Sequence, residues 1–294
     1  MTSRVAKNYW VFEMASKKKE NLKLEQPATA VVDQQAVDFV KKAMKHYGDE
    51  VIQNRALPRL EDGLKPIQRL LLWSCVDLNT SKFIKSAKIT GHCIASYSPH
   101  GEMAAYGSLV SMVNERHPLV EGQGNFGGAT TEAASARYTE SRIHPIARRM
   151  ITDLPDMASV PYEKNYDDTK DQPQFLPVLL PLLLLNSSTG IAMAITSKFP
   201  GFNILEVAAS VLEYLSKGDE KRASKQIKAP DGFSCTLLST KEEVQALLDT
   251  GIGQLHYECA HHLERRENRK MLVITGYPPE FSVSGLLSKC AELQ

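Results

Sequence analysis

Tyr97-Ser-Pro-His-Gly-Glu-Met-Ala-Ala-Tyr-Gly-Ser-Leu-Val-Ser-Met-Val113 is the stretch on which the fold turns. Pro99-His-Gly101 reads as a tight corner, because proline fixes its own φ and glycine accepts backbone angles that other residues avoid. Beyond it, Tyr106, Leu109, Val110 and Val113 recur at the spacing of a helix with one buried stripe. Before it, Ser86 to Tyr97 reads as another short helix, with Gly91 as its weak point. Two helices about such a corner form a helix-turn-helix, whose later helix lies in a DNA groove in proteins built that way. The first turn after the corner offers free amides and the positive end of the helix dipole, a seat for a phosphate.

Working upstream, Pro66 suits the first turn of a helix, where its missing donor costs nothing, and Asp62-Gly63 marks the turn before it. Ile67, Leu70, Leu71, Ser74 and Leu78 mark one face of that helix. Lys65 and Arg69 flank its start, where they could meet a phosphate backbone or face solvent. From Gln34 an amphipathic helix is expected to about Gln53, with Val37, Val40, Met44, Tyr47 and Val51 on one side. Residues 1 to about 30, with Lys17-Lys18-Lys19 and Lys23, read as a mobile basic arm.

Working downstream, Pro118 to Gly128 holds four glycines in seven positions, which lets backbone approach backbone or phosphate closely. No Gly-Lys-Ser/Thr ends this loop, so a nucleotide-hydrolysing P-loop is not indicated. Some ten residues later comes Ala136-Arg-Tyr-Thr-Glu140. Free tyrosine titrates near ~10 and is a weak nucleophile at neutral pH. A guanidinium beside it can clamp a phosphoryl oxygen through its fork of donors, which makes Arg137-Tyr138 a candidate for phosphoryl chemistry. Past Asp153 the texture changes. Asn165 to Asp171 is a polar loop with solvated carboxylates, Phe175 to Leu185 suggests one or two buried strands, and Asn186 to Ala194 a turn carrying an exposed Ile191. A helix is expected over Leu205 to Leu215 and a charged loop over Lys217 to Ala229. The remainder alternates short strands with helices at Thr240 to Leu248 and Ser282 to Leu293.

With 294 residues, 43% apolar and 23% charged, the composition is that of a soluble globular chain with a sizeable core. Net charge is only +1, and Arg55 to Met150 carries 12 Lys/Arg against 8 Asp/Glu, so a nucleic-acid role rests on placement rather than on global charge. Five widely spaced cysteines, an odd number, suggest reduced thiols in a cytosolic setting. Cys259, His261 and His262 lack a second ligand pair at zinc spacing, so no metal site is expected. The longest apolar run has eleven residues with Pro177 and Pro181 inside it, too short for a bilayer, and no signal peptide is expected.

In order along the chain stand Arg55-Ala-Leu-Pro with Asp62-Gly-Leu-Lys-Pro-Ile-Gln-Arg69, then Pro99-His-Gly-Glu102, then Pro118-Leu-Val-Glu-Gly-Gln-Gly-Asn-Phe-Gly127. Ala136-Arg-Tyr-Thr-Glu140, Asn186-Ser-Ser-Thr-Gly-Ile191 and Pro230-Asp-Gly-Phe233 follow. Together they resemble the breakage–reunion polypeptides of type IIA DNA topoisomerases, found in gyrase, topoisomerase IV and their counterparts in large bacteriophages. The resemblance implies an α+β chain: a winged-helix (helix-turn-helix) DNA-gate domain over residues 31–155, then an incomplete α/β tower domain over 156–294. By it, Tyr138 attacks the DNA phosphodiester and holds a 5′ end, with Arg137 and His100 as catalytic partners. Arg55, Lys65, Arg69 and Ser98 fall at DNA-binding positions, and Ile191 matches an isoleucine that wedges between base steps. The partners it implies are double-stranded DNA, a Toprim/ATPase polypeptide, a second copy of this chain and a further chain carrying the exit gate. Mg2+ is then held mainly by the Toprim partner and ATP by a partner polypeptide; the setting is the cytoplasm, with nucleoid or viral DNA and no membrane. The alternative is a non-catalytic helix-turn-helix DNA-binding protein derived from that family.

Three departures stand out. Ser98 replaces the first histidine of a His-Pro-His-Gly motif. Met103 and Gly107 replace the serine and acidic residue that contact quinolones in bacterial members, so insensitivity to quinolones is expected. Ala194 replaces a frequent glycine.

Overall fold

The computed structural model describes residues 35–128, 131–152, 160–193, 195–231, 235–267, 269–277 and 283–292. The proposed basic arm, Ala194 and Gly232-Phe233 lie outside the described residues. The chain divides into two compact units, residues 1–44 and 45–294. Of the first, the described part is the opening of helix α1 (Ala36–Val51), where Val37, Val40 and Met44 are exposed.

In the second unit, α1 ends in a π-helical turn, Ile52–Ala56. Three helices follow: α2 (Pro66–Asp77), α3 (Ser86–Ser96) and α4 (Glu102–Asn114). They pack with a three-stranded antiparallel sheet of β1 (Ile84–Lys85), β2 (Val120–Gln123) and β3 (Glu140–Ile143), with β3 in the middle. Helix α5 (Pro145–Thr152) closes this group. The core is Leu71, Leu72 and Cys75 from α2, Ile89 and Cys93 from α3, Leu109 and Met112 from α4, and Val120 and Ile143 from the sheet. The expected periodicity of α4 holds, but the buried stripe centres on Ala105, Leu109 and Met112, with Tyr106 and Val113 at its margin. A strand, β2, sits inside the glycine-rich segment that reads as a loop. Gly122 fits there because a Cβ would stand 2.5 Å from the Phe126 ring and 2.7 Å from Val113.

Residues 162–173 form a hairpin of β4 (Tyr162–Lys164) and β5 (Asp171–Pro173), and Asp167 and Asp168 in its loop and Asp171 at the start of β5 are exposed, as expected. Phe175 to Leu185 does not form strands. It runs without regular structure and ends in one helical turn, α6 (Leu182–Leu185), with Leu176, Leu182 and Leu185 buried. Pro177 and Pro181 explain this, since each removes a donor that a sheet ladder needs. The expected turn at 186–194 is instead a hairpin, β6 (Ser188–Ile191) paired with β7 (Thr196–Phe199).

Beyond it lie α7 (Ile204–Lys217), α8 (Glu220–Ser224) inside the expected charged loop, and α9 (Lys241–Thr250) with a Thr240/Glu243 capping box. Strands β8 (Thr236–Leu237) and β9 (Tyr257–Glu258) pair, as do β10 (His261–Arg266) and β11 (Arg269–Ile274), and α10 (Val283–Glu292) follows. Helices and small antiparallel sheets together make an α+β fold. No described helix is long and apolar enough to cross a membrane.

Candidate functional site

Tyr138 stands in a turn at Ala136–Tyr138, just before β3, with its side chain 65% exposed. The Arg137 guanidinium lies over its ring, 4.7 Å from the centroid. The ring is outside while its backbone is fastened inside. Ser86 N donates to the Thr139 carbonyl at 3.0 Å and Ala87 N to the Ala136 carbonyl at 3.2 Å, so the first turn of α3 commits its amides to the tyrosine turn. Gly124 (φ +107°) passes beside it, where a Cβ would stand 3.6 Å from Thr139 Cα. Side-chain access outward with backbone anchorage inward is what a surface nucleophile requires.

His100 is exposed at the corner before α4, and Ser98, two residues earlier, is buried. The corner is braced from below. Asp77 accepts from Tyr97 at 2.8 Å and meets His92 Nε2 at 2.7 Å, and Lys170 donates to Ser96 Oγ at 3.2 Å. Partial burial pulls the Asp77 carboxyl upward, but these hydrogen bonds and the Lys170 charge outweigh it and hold it below its ordinary value. Ser98 Oγ faces inward, 3.5 Å from the His100 amide, so it braces the corner and is not a surface contact.

Arg69, read as a cation at the start of α2, is buried there. Its Nε donates to Asp62 Oδ2 at 2.5 Å and its Nη2 to Asp62 Oδ1 and the Leu64 carbonyl, each at 3.0 Å. Asp62, fully buried, also accepts from Leu64 N and Leu176 N. The expected phosphate contact is therefore an internal strut. Gly63 (φ +66°) makes the turn that brings the pair together, and a Cβ there would stand 2.3 Å from Leu183 N.

Arg55, Lys65 and Ile191 gather around the β6–β7 hairpin. Lys65 Nζ donates to the Thr189 carbonyl. Gly190 crosses the π-helical turn so closely that a Cβ would stand 2.3 Å from the Ala56 carbonyl oxygen, next to exposed Arg55. Ile191, 75% exposed, projects at the end of β6. Beside them is a cavity of about 430 Å³ lined by Lys65, Gln68, Glu115, Arg116, Thr189 and Asp231. Glu115 accepts from Gln68 Nε2 at 3.0 Å and from Asn186 Nδ2 at 2.9 Å, and Arg116 pairs with Asp231. Burial raises the Glu115 carboxyl to about 7, against the Gln68 hydrogen bond and the Lys65 charge. Sequence reasoning passed over Glu115, because a lone acid at a helix end gives no signal of burial. Among the described residues no group of three or more His, Cys, Asp or Glu could hold a metal ion.

The sequence that carries this exposed tyrosine turn has its match among known proteins. The chain belongs to the A-subunit family of DNA gyrase and topoisomerase IV, whose model covers residues 55–294. It is similar to the A subunit of DNA gyrase from Buchnera aphidicola subsp. Acyrthosiphon pisum, at 33% identity over 281 residues, which is 92% of this chain and 34% of that protein. It is similar also to the A subunit of DNA topoisomerase 4 from Neisseria gonorrhoeae (31% identity; 86% of this chain, 34% of that one) and to the A subunit of DNA gyrase from Campylobacter fetus (35%; 87% and 31%). The chain spans about a third of the length of the curated relatives it matches.

Proposed function

We propose that this chain is the DNA-cleaving part of a type II DNA topoisomerase, and that α2–α4 with the β1–β3–β2 sheet form its winged-helix domain. The observation that carries the reading is Tyr138 itself: an exposed phenol beneath a guanidinium, on a turn clamped to the helix-turn-helix. Tyr138 Oη attacks phosphorus, the bond to the 3′ oxygen breaks, and the phenol's proton ends, net, on the released 3′ hydroxyl. The 5′ end stays on the enzyme as a phosphotyrosine, and resealing is the reverse attack. Arg137 and His100 address the charge that develops on the phosphoryl group. Arg55 and Lys65 grip the backbone. Ile191 enters a base step, where unstacking costs a few kcal/mol and yields a bent duplex with more protein contact.

Cutting both strands takes two tyrosines, hence a second copy of the chain. Mg2+ and ATP belong, in this reading, to a Toprim/ATPase partner, and no step above is routed through them. The test is to denature the complete complex on end-labelled duplex DNA and look for protein covalently joined to 5′ ends. The adduct is expected with the native chain and absent with Tyr138→Phe. An adduct that survives Tyr138→Phe refutes the assignment, and DNA binding with no adduct in the native complex leaves only a DNA-binding module.

A further inference from the structure

We propose that Tyr106, Thr139 and Ser86 are positioning residues for the nucleophile: a strut of buried hydroxyls that fixes where the Tyr138 turn stands against α3 and α4. This rests on the reading of Tyr138 as the nucleophile. Tyr106 OH, from α4, donates to the Ala134 carbonyl at 2.6 Å and lies 2.9 Å from Thr139 Oγ1. Thr139 Oγ1 donates to Ser86 Oγ at 2.8 Å, and Ser86 Oγ lies 2.7 Å from Ser141 Oγ on β3. Thr139, Ser86 and Ser141 are fully buried.

These contacts converge on one short segment. Tyr106 holds it before the tyrosine, at Ala134, and meets it again after, at Thr139. The amides of Ser86 and Ala87 hold the Thr139 and Ala136 carbonyls. Tyr138 is thus fastened on both sides through its neighbours, while its own ring meets the Arg137 guanidinium. A core needing only cohesion would fill this volume with methyl groups, which bring no buried polar atoms to satisfy. Hydroxyls at fixed distances specify one placement of the turn, and in-line attack on phosphorus is sensitive to placement at the ångström scale.

The test uses the complete topoisomerase complex and four variants: Tyr106→Phe, Thr139→Val, Thr139→Ser and Thr80→Val. Thr80 is an equally buried hydroxyl that donates to the Cys75 carbonyl and accepts from Ile143 N at the end of β3 away from the turn. It hydrogen-bonds to none of Ala134 to Thr139 and so reports ordinary loss of stability. Each variant is assayed below its own melting temperature for duplex affinity and for the rate of adduct formation at saturating DNA. Tyr106→Phe and Thr139→Val are expected to slow adduct formation on the order of ten- to a hundredfold with affinity unchanged. Thr139→Ser should restore the rate, and Thr80→Val should keep it. A native rate in both deletions, or a slowing in Thr80→Val equal to theirs, overturns the proposal. Failure of Thr139→Val to fold leaves Tyr106→Phe, which removes one oxygen and leaves the ring's packing in place, to decide alone. Should Tyr138→Phe still form adduct, the nucleophile assignment fails, which is a different result from a native rate in Thr139→Val.

Discussion

Replacing Arg69 with methionine separates two roles that the sequence leaves open for it, phosphate contact and internal strut. In the structure its guanidinium makes two hydrogen bonds to Asp62 and one to the Leu64 carbonyl, all buried. Removing one partner of a buried ion pair costs roughly 3–5 kcal/mol, because the other charge is left uncompensated. Asp62 keeps its two amide donors, Leu64 N and Leu176 N, so the loss should fall at the low end, about 3 kcal/mol. At roughly 2–4 °C per kcal/mol for a domain of 150–250 residues, the melting temperature drops by about 6–12 °C. Asp62→Leu should be worse, since it orphans those two amides as well. The second assay is the salt dependence of duplex binding. A phosphate-contacting arginine contributes about 0.9 to the slope of log K against log salt, whereas a strut contributes nothing. Arg69→Met should therefore be less stable with an unchanged slope. A slope reduced by about 0.9 with the melting temperature intact would refute the reasoning.

Gly190→Ala drives a methyl group into the Ala56 carbonyl oxygen, a backbone atom that cannot swing aside; about 1–3 kcal/mol of stability should go, with weaker bending of bound DNA by fluorescence resonance energy transfer. Glu115 titrates near 7 when folded and near its ordinary 4.5 when unfolded, so its contribution is unfavourable above that window. Native stability should fall by at most about 3 kcal/mol as pH rises from 4.5 to 7 and then level off. Denaturant titrations of Glu115→Gln should lack that fall. Quinolones should not stimulate cleavage by the native complex. Met103 is 91% exposed and a Cβ at Gly107 meets nothing within 4 Å, so Met103→Ser with Gly107→Glu should fit the helix and confer drug-stimulated cleavage.

The features legible in the bare chain are mostly those that periodicity and corner residues encode. Helices α2, α3, α4, α7 and α9 stand within a few residues of their apolar spacing, and the Pro99-His-Gly101 corner falls between α3 and α4. Ile191, read as exposed from its turn, is exposed, and so are Tyr138 and His100. Long-range pairing is not legible. Nothing local reveals that Asp62 and Arg69 close on each other, because that depends on the left-handed turn at Gly63 and on Leu176, more than a hundred residues away. The hydroxyl strut is hidden for the same reason: Ser86, Tyr106 and Thr139 are ordinary until three elements meet. Phe175 to Leu185 misleads because hydrophobicity is shared by buried strands and buried irregular chain, and only the prolines tell them apart.

The crossing of Gly190 over Ala56 gears two tasks together. Arg55 and Ile191 each adjoin one close backbone contact, so if they act as proposed above, a grip on the sugar–phosphate rail and insertion into the stack of bases should advance or retreat in step. Any duplex stiff enough to refuse the second would be held less firmly by the first, which turns local deformability of the DNA into a choice of where the enzyme settles.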